Sequence, residues 1–277
     1  MVDGERRCDF EFREMTGELE LMLHSKPNTP ATPVSSPVER VTQVLSHALG
    51  HVGGQQATLE MVNALSVGDR QFLMRHLAAH VDDEPVWLTA TCHHCSEKFD
   101  VSFLYTELPV KPAGEGYPSR EVDTSLGKVT VSAPTGNDQL ALAGITDDQQ
   151  ALLQLVERLV TVQGRKKPLR VERLTVEDLE AIESTAEDLS PEIATQLLAN
   201  CPNCDAQNRL NITPYSCFER SVEPLFSEVH TLAMYYHWSE QAILDLPRVR
   251  RQRYLHLIDR SRGITDRPHS LFEEGHG

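Results

Sequence analysis

Cys92-His93-His94-Cys95 and Cys201-Pro202-Asn203-Cys204 are two CxxC pairs. Each begins 27 residues after the start of a Leu-Ser/Thr-Val-x-Asp phrase, Leu65-Ser66-Val67-Gly68-Asp69 in one case and Leu174-Thr175-Val176-Glu177-Asp178 in the other. The equal spacing marks two copies of one unit. At an offset of 109, Val67 falls on Val176, Leu88 on Leu197, Val101 on Leu210 and Phe103 on Ile212. With one residue of slippage upstream, Leu45 meets Leu155, Leu49 meets Leu159, Val52 meets Val162 and Gly54 meets Gly164. The unit therefore runs over about residues 40 to 110 and again over about 150 to 219. Two copies are too few for a solenoid and imply paired half-domains.

Each copy offers two thiolates, whereas a structural zinc site takes four tetrahedral ligands, and neither copy has a clear second pair nearby. The expectation is that Cys92, Cys95, Cys201 and Cys204 pool around one structural Zn2+ per chain. After each CxxC turn comes a short stretch, Phe99 to Leu104 and Arg209 to Ile212, that reads as a strand. A CxxC turn followed by a strand is half of a zinc ribbon, here split by an insertion of about a hundred residues. Three other readings stand beside this one. They are a redox CxxC, a disulfide inside each knuckle, and a site completed by His93, His94 or another subunit. His93 and His94 are expected as exposed turn residues, and Cys8 and Cys217, which lack CxxC partners, as ordinary thiols.

Composition narrows the function. A chain of 277 residues with 40% hydrophobic content can bury a core and suggests two small domains plus an appendage. No apolar run approaches the roughly 18 residues that span a membrane, and Met1-Val2-Asp3-Gly4-Glu5 lacks the apolar region of a signal peptide, so a soluble cytoplasmic product is expected. The net charge of −15 argues against direct nucleic-acid binding, which needs clustered Lys and Arg. Residues 224 to 263 nevertheless hold six Arg against four acids, while the rest of the chain holds 20 bases against 37 acids. That segment is a separate electrostatic unit, able to dock onto an acidic surface.

Along the chain, Phe10 and Phe12, then Leu19, Leu21 and Leu23, alternate with polar residues and suggest a strand pair, with Met22 breaking the pattern. Lys26 to Pro37 carries four prolines and reads as a flexible linker. Val41, Val44, Leu45, Ala48, Leu49 and Val52 recur at helical spacing, predicting a helix over 38–52 ended by Gly53-Gly54. Ser66 can cap a second helix buried through Phe72, Leu73, Leu77 and Ala78, and Thr175 can do the same in the second copy. Trp87, Leu88 and Thr89 lead as a strand into the first knuckle. Ser190 to Ala199 reads instead as a helix begun by Ser190-Pro191-Glu192, a divergence between the halves. Residues 111 to 136 read as a linker around an isolated strand, Lys128-Val129-Thr130-Val131. Residues 147 to 163 form a helix striped by Leu152, Leu155, Val156, Leu159 and Val160.

The C-terminal block predicts three short helices. Leu225, Val229, Leu232, Ala233 and Tyr236 stripe the first, Ser239 caps one holding Ile243 and Leu244, and Pro247 opens a third with Tyr254, Leu255 and Ile258. Tyr235, Tyr236, Trp238, Arg248, Arg250, Arg251 and Arg253 gather there. That mix is favoured at protein interfaces, although the aromatics could equally close a mini-core. The expected fold is α+β: internally duplicated, mostly helical units each ending in a CxxC zinc-knuckle hairpin, joined as a split zinc ribbon, plus a C-terminal helical appendage. The expected segments are an N-terminal arm and linker (1–37), a first repeat (38–110), an insert (111–146), a second repeat (147–220), a docking segment (221–263) and a tail (264–277).

These residues also carry a family resemblance. Leu232-Ala233-Met234-Tyr235-Tyr236-His237-Trp238-Ser239, Leu244-Asp245-Leu246-Pro247 and Arg250-Arg251-Gln252-Arg253-Tyr254 resemble the C-terminal signature of small baseplate proteins in contractile phage tails and phage-tail-like injection systems. Phe12-Arg13-Glu14 running into Thr16-Gly17-Glu18, the phrase Leu65 to Arg70, and a CxxC before Phe99-Asp100-Val101 resemble the baseplate hub assembly protein family of T-even-like contractile phages. The second CxxC unit and the long insert depart from that pattern. The resemblance implies a structural or assembly role, with other hub or wedge proteins as partners, no membrane and no chemistry of its own. It implies a cytoplasmic location during assembly and leaves open whether the protein stays in the finished tail or leaves as a chaperone. The sequence likewise has no HExxH, P-loop, GxGxxG or nucleophile elbow, and Ala133 to Asp138 reads as a turn.

Overall fold

A computed structural model describes residues 8–24, 36–81, 85–162, 171–212, 215 and 221–263. Over these the chain runs β1 (Phe10–Phe12), α1 (Gly17–His24), α2 (Pro37–Ala48), β2 (Leu49–Val52), β3 (Gln55–Gln56), α3 (Leu59–Ala64), α4 (Val67–Val81), β4 (Val86–Thr91), β5 (Lys98–Phe103) and β6 (Val110–Lys111). It continues through β7 (Ser119–Thr124), β8 (Gly127–Ser132), α5 (Gly136–Leu142), α6 (Asp148–Leu159), β9 (Val160–Val162), α7 (Val176–Leu189), β10 (Glu192–Ile193), β11 (Gln196–Asn200) and β12 (Gln207–Asn211). It closes with α8 (Glu223–Tyr236), α9 (Glu240–Leu244) and α10 (Arg248–Ser261). Two compact units result, Met1–Arg13 with Ser25–Arg220, and Glu14–His24 with Ser221–Gly277.

In the first unit one order of elements occurs twice. A strand pairs with the strand that follows a helix, and then come a second helix and a hairpin. The first run is β1 against β2 across α2, then α4 and β4–β5; the second is β8 against β9 across α6, then α7 and β11–β12. The predicted helix over 38–52 stops at Ala48, because Gly53 and Gly54, both at positive φ, turn β2 into β3 instead of ending a helix. Likewise α6 ends at Leu159, and Val160-Thr161-Val162, all three β-branched, add a strand to β8.

Two further expectations are corrected. Ser190 to Ala199 is not helical: β11 pairs with β12 along its whole length, from Gln196 opposite Asn211 to Asn200 opposite Gln207. Cross-strand pairing overrides the Ser-Pro-Glu start signal, so both CxxC turns lie on hairpins. Nor is Lys128 to Val131 isolated. It lies in the middle of the β7-β8-β9 sheet, whose Val129 and Val131 pack with Val156, Leu159, Val160 and Ile182 in a buried core.

The recurrent phrase is a helix cap that also fastens a loop. Ser66 Oγ accepts the Asp69 N–H (3.1 Å) at the start of α4, and Tyr117 donates its hydroxyl to Asp69 Oδ2 (3.0 Å). Thr175 Oγ1 accepts the Asp178 N–H (3.2 Å) at the start of α7, while Ser125 donates its hydroxyl (2.5 Å) and N–H (2.8 Å) to the Asp178 carboxylate. The Ser125 hydroxyl, with the Thr175 and Ser125 N–H groups, holds Asp178 below the usual carboxylate range. Each Asp thus sits at its helix start and binds a residue flanking β7, Tyr117 before it and Ser125 after it.

The segments that carry the two hairpins also interlock directly. β6 and β10 pair, Lys111 with Glu192 and Val110 with Ile193. α4 comes so close to the second copy that a Cβ on Gly68 would lie 1.9 Å from the Pro191 carbonyl oxygen. Inside the first copy Arg70 is fully buried and donates to the Val62 and Val38 carbonyls and to Thr42 Oγ1 (3.0, 3.1 and 2.7 Å). Burial lowers its pKa. It tethers α4 to α2 and α3.

The second unit differs from the sequence reading at its N-terminal piece. Gly17 to His24 is a helix, and Leu19 and Leu23, one turn apart, are its buried apolar residues. Gly17 lies close against Leu244: a Cβ there would be 2.9 Å from Leu244 Cδ2 and 3.0 Å from its Cα. The chain at this point is also held by Arg248 N–H donating to the Met15 carbonyl (2.7 Å). Glu14–His24 is therefore part of this unit and not a separate arm; most of the Lys26 to Pro37 linker and the whole 264–277 tail lie outside the described residues.

The three C-terminal helices fall where predicted, with Ser239 capping α9 and Pro247 preceding α10. Their core is Leu225, Val229, Leu232, Ile243, Leu244 and Ile258, against which Tyr236, Trp238 and Tyr254 pack. Arg251, grouped from the sequence with the docking arginines, is wholly buried. It donates to Glu20 (2.5 Å), Glu228 (3.1 Å) and the Leu246 carbonyl (2.9 Å) and so joins α1, α8 and α10. Burial raises the Glu20 pKa, and the Arg251 hydrogen bond opposes it without cancelling it. The contribution of this carboxyl to stability is therefore complete below its unfolded pKa and declines as pH rises through the folded value.

Removing the shared cation strands two acids. With Trp87→Phe leaving Trp238 as the fluorescent reporter, Arg251→Ala should lower the unfolding free energy at pH 7 by about 3–5 kcal/mol in urea titrations. That loss should shrink as pH falls and Glu20 protonates. A loss under 1 kcal/mol would remove Arg251 from the account of this unit's stability.

Candidate metal centre

The first knuckle caps β4–β5 and the second caps β11–β12, and both turns are built alike. Cys92 N–H donates to the Glu97 carbonyl (2.9 Å) and Ser96 N–H to the Cys92 carbonyl (3.0 Å); at the same offset of 109, Cys201 N–H donates to Ala206 (2.9 Å) and Asp205 N–H to Cys201 (2.8 Å). Ser96 (φ 63°) and Asp205 (φ 57°) are both left-handed, which turns the chain back into β5 and β12. On the inner faces, Ala90, Phe99 and Val101 of one hairpin meet Ala199, Ala206 and Leu210 of the other around the cysteines.

This packing brings the four sulfurs together. All lie within 4.8 Å of one another, and Cys92 to Cys204 and Cys95 to Cys201 are each 3.7 Å apart. A zinc–sulfur bond of about 2.3 Å implies a tetrahedral edge of about 3.8 Å. These two edges match a tetrahedron about a metal ion. Both run between hairpins, a geometry unlike a disulfide closed inside either knuckle. Cys92 and Cys201 are buried, Cys95 and Cys204 half-buried.

The backbone favours thiolates here. The Cys95 N–H, helped by those of His94 and the Asn208 amide, brings the Cys92 thiol down to about 6, and the Glu97 N–H lowers Cys95. Cys204 receives the equivalent Ala206 N–H, but burial and the three neighbouring sulfurs outweigh it and push this thiol up to about 12. Four sulfurs this close cannot all carry charge without a cation among them. The set can hold a metal ion, and its all-sulfur, four-ligand character is that of a closed site.

The sequence reading did not single out Asn208. Buried on β12, it donates to Cys92 Sγ (3.6 Å) and the Ala206 carbonyl (2.7 Å), and its Oδ1 accepts the His93 N–H (2.9 Å). It thus ties the second hairpin to the first knuckle. The signal was available in the repeat, because the offset of 109 pairs Asn208 with Phe99, a polar residue at an interior position. His93 and His94 are exposed, as expected of turn residues, and His93 Nδ1 is occupied by Asn208 Oδ1 (2.9 Å). Cys8 is exposed, and Cys217 lies outside the described residues.

The residues expected to bind partners are distributed differently. Tyr236 and Trp238 are half-buried and stacked (4.8 Å), with Tyr254 edge-on to Trp238 (4.9 Å), so they close the helical core. Tyr235 is exposed beneath the Arg262 guanidinium (4.6 Å to the ring). Arg248 is half-buried, while Arg250 and Arg253 are exposed. No helix among the described residues is long and apolar enough to cross a membrane. No protein-family model, curated protein or solved structure matches the chain.

Cobalt(II) titration of the reduced, metal-free protein should give the visible spectrum of a tetrahedral four-sulfur site, saturating at one ion per chain. Cys92→Ser or Cys204→Ser should each change it, since both hairpins contribute. Two ions per chain, or insensitivity to Cys204→Ser, would contradict a shared site.

Proposed function

We propose that this chain is a non-enzymatic structural or assembly component of the baseplate, in its hub region, of a contractile phage tail or phage-tail-like injection system. One zinc ion staples its first unit, and its C-terminal helices dock onto other baseplate proteins. The observation that carries the structural part is the meeting of four sulfurs from hairpins 109 residues apart with edges suited to a tetrahedral metal. Four protein sulfurs fill a tetrahedral shell and leave no position for substrate, which favours a structural ion. Tetrahedral sulfur sets suit zinc or iron, and zinc is the reading adopted. The repeated element order supports an internally duplicated unit whose two hairpins are the halves of a split zinc ribbon.

The baseplate assignment rests on the resemblance of the C-terminal and N-terminal phrases to those families. The docking role is supported by what the second unit leaves outside: Tyr235 with Arg262, and Arg250 and Arg253 on α10. Trp238 and Arg251 belong to the interior in this reading and hold the docking helices in place. Partners would be hub or wedge subunits bearing acidic patches, met in the cytoplasm during assembly.

Tyr235→Ala/Arg250→Glu/Arg253→Glu, expressed in cells that supply the neighbouring tail proteins, should retain one zinc per chain and lose incorporation into tails. Tails assembled normally with this variant would overturn the docking role. Tails that need the protein yet do not contain it would identify it as a chaperone that leaves.

A further inference from the structure

The outer face of α10 has one composition throughout. Val249, Arg250, Arg253, Leu257 and Arg260 are exposed, fall within about a third of the helix circumference at 100° per residue, and lie opposite the buried Arg251 and Ile258. Val249 is 81% exposed and Leu257 41%. Among the described residues no ion pair engages these three arginines. A helix face with three unpaired guanidiniums around two bare aliphatic side chains fits an acidic helix with an apolar contact of its own.

The same chain contains such a helix. α7 carries six acids and no Lys or Arg. Asp178 is used internally and Asp188 is paired with Arg120 (2.8 Å), whereas Glu177, Glu180, Glu183 and Glu187 are exposed along one side together with Val176, which is 67% exposed. Both helices span 14 residues, about 21 Å each at 1.5 Å per residue. They match in length, are opposite in sign, and each carries exposed aliphatic surface.

We infer that the α10 face binds α7 of a second copy of this chain. This rests on the reading of the C-terminal helices as a docking unit and names one partner for it. The contact is heterologous, because different surfaces meet, so a pair keeps one unused α10 on one copy and one unused α7 on the other, and association continues into a ring or an open chain. Two 14-residue helix faces cover well under the roughly 800 Å² per partner of a stable complex. The self-contact is therefore weak in isolation, strongly dependent on salt, and effective where copies are already held at high local concentration.

Sedimentation equilibrium of the full-length, zinc-loaded protein tests this. At low salt the average mass of the wild type should rise with concentration, and it should return to that of the monomer at about 0.5 M salt, where the Debye length falls below about 5 Å. Arg250→Glu/Arg253→Glu/Arg260→Glu and Glu177→Lys/Glu180→Lys/Glu183→Lys/Glu187→Lys should each stay monomeric alone. Mixed in equal amounts they should associate again, because each supplies the complement of the other; this regain also excludes misfolding as the cause of the loss. A wild type that is monomeric at every concentration, or a mixture that stays monomeric, would overturn the self-contact. The docking role would still stand if the α10 variant failed to enter tails, so the two readings fail separately.

Discussion

Four cysteine sulfurs held within 4.8 Å of one another are the constraint on which the first unit depends. Each hairpin that carries them has only two strands, and a two-stranded hairpin is marginal by itself in water. Left apart, the knuckles would be exposed turns on weak ribbons. Brought together, they bury Ala90, Phe99, Cys92 and Cys201 in a small core whose remaining problem is the mutual repulsion of its thiolates. A metal ion would remove that problem. Structural zinc contributes on the order of 10–16 kcal/mol in zinc-finger peptides, comparable to the whole stability of a typical domain.

Contacts between protein groups also bring the hairpins together. β6, which follows the first hairpin, pairs with β10, which precedes the second. Gly68 lets α4 press against Pro191, and Asn208 reaches from β12 into the first knuckle. These contacts hold the two hairpins together and reduce the ordering that binding a metal would impose. In the second unit a buried ion cluster plays the corresponding part. Three short helices and α1 share too little apolar surface to be robust, and Arg251 links them by donating to acids on α1 and α8 and to the carbonyl that precedes α10.

Much of this was legible in the residues because chemistry and periodicity agreed there. The CxxC spacing and the shared cap phrase located the sulfur cluster and the starts of α4 and α7, since a cap needs a particular residue at a particular place. The stripes of α2, α6, α8 and α10 emerged for the same reason. The misreadings came where local pattern and tertiary pairing competed. Leu19-Glu20-Leu21-Met22-Leu23 alternates like a strand, yet burying Glu20 against Arg251 and placing Leu19 and Leu23 one turn apart is possible only as a helix. Ser190-Pro191-Glu192 has the form of a helix start, but pairing with β6 and β12 fixes an extended chain. Arg251 could not be told from its neighbours by sequence, since its burial depends on two acids 231 and 23 residues away.

The central claim is that one metal ion is held by sulfurs from both hairpins. X-ray absorption at the zinc edge of the purified full-length protein, with metal content measured on the same sample, tests it most directly. The account predicts one zinc per chain surrounded by four sulfurs at about 2.3 Å and no nitrogen or oxygen. A mixed shell with histidine or water, or a chain that folds fully without any bound metal, would contradict it.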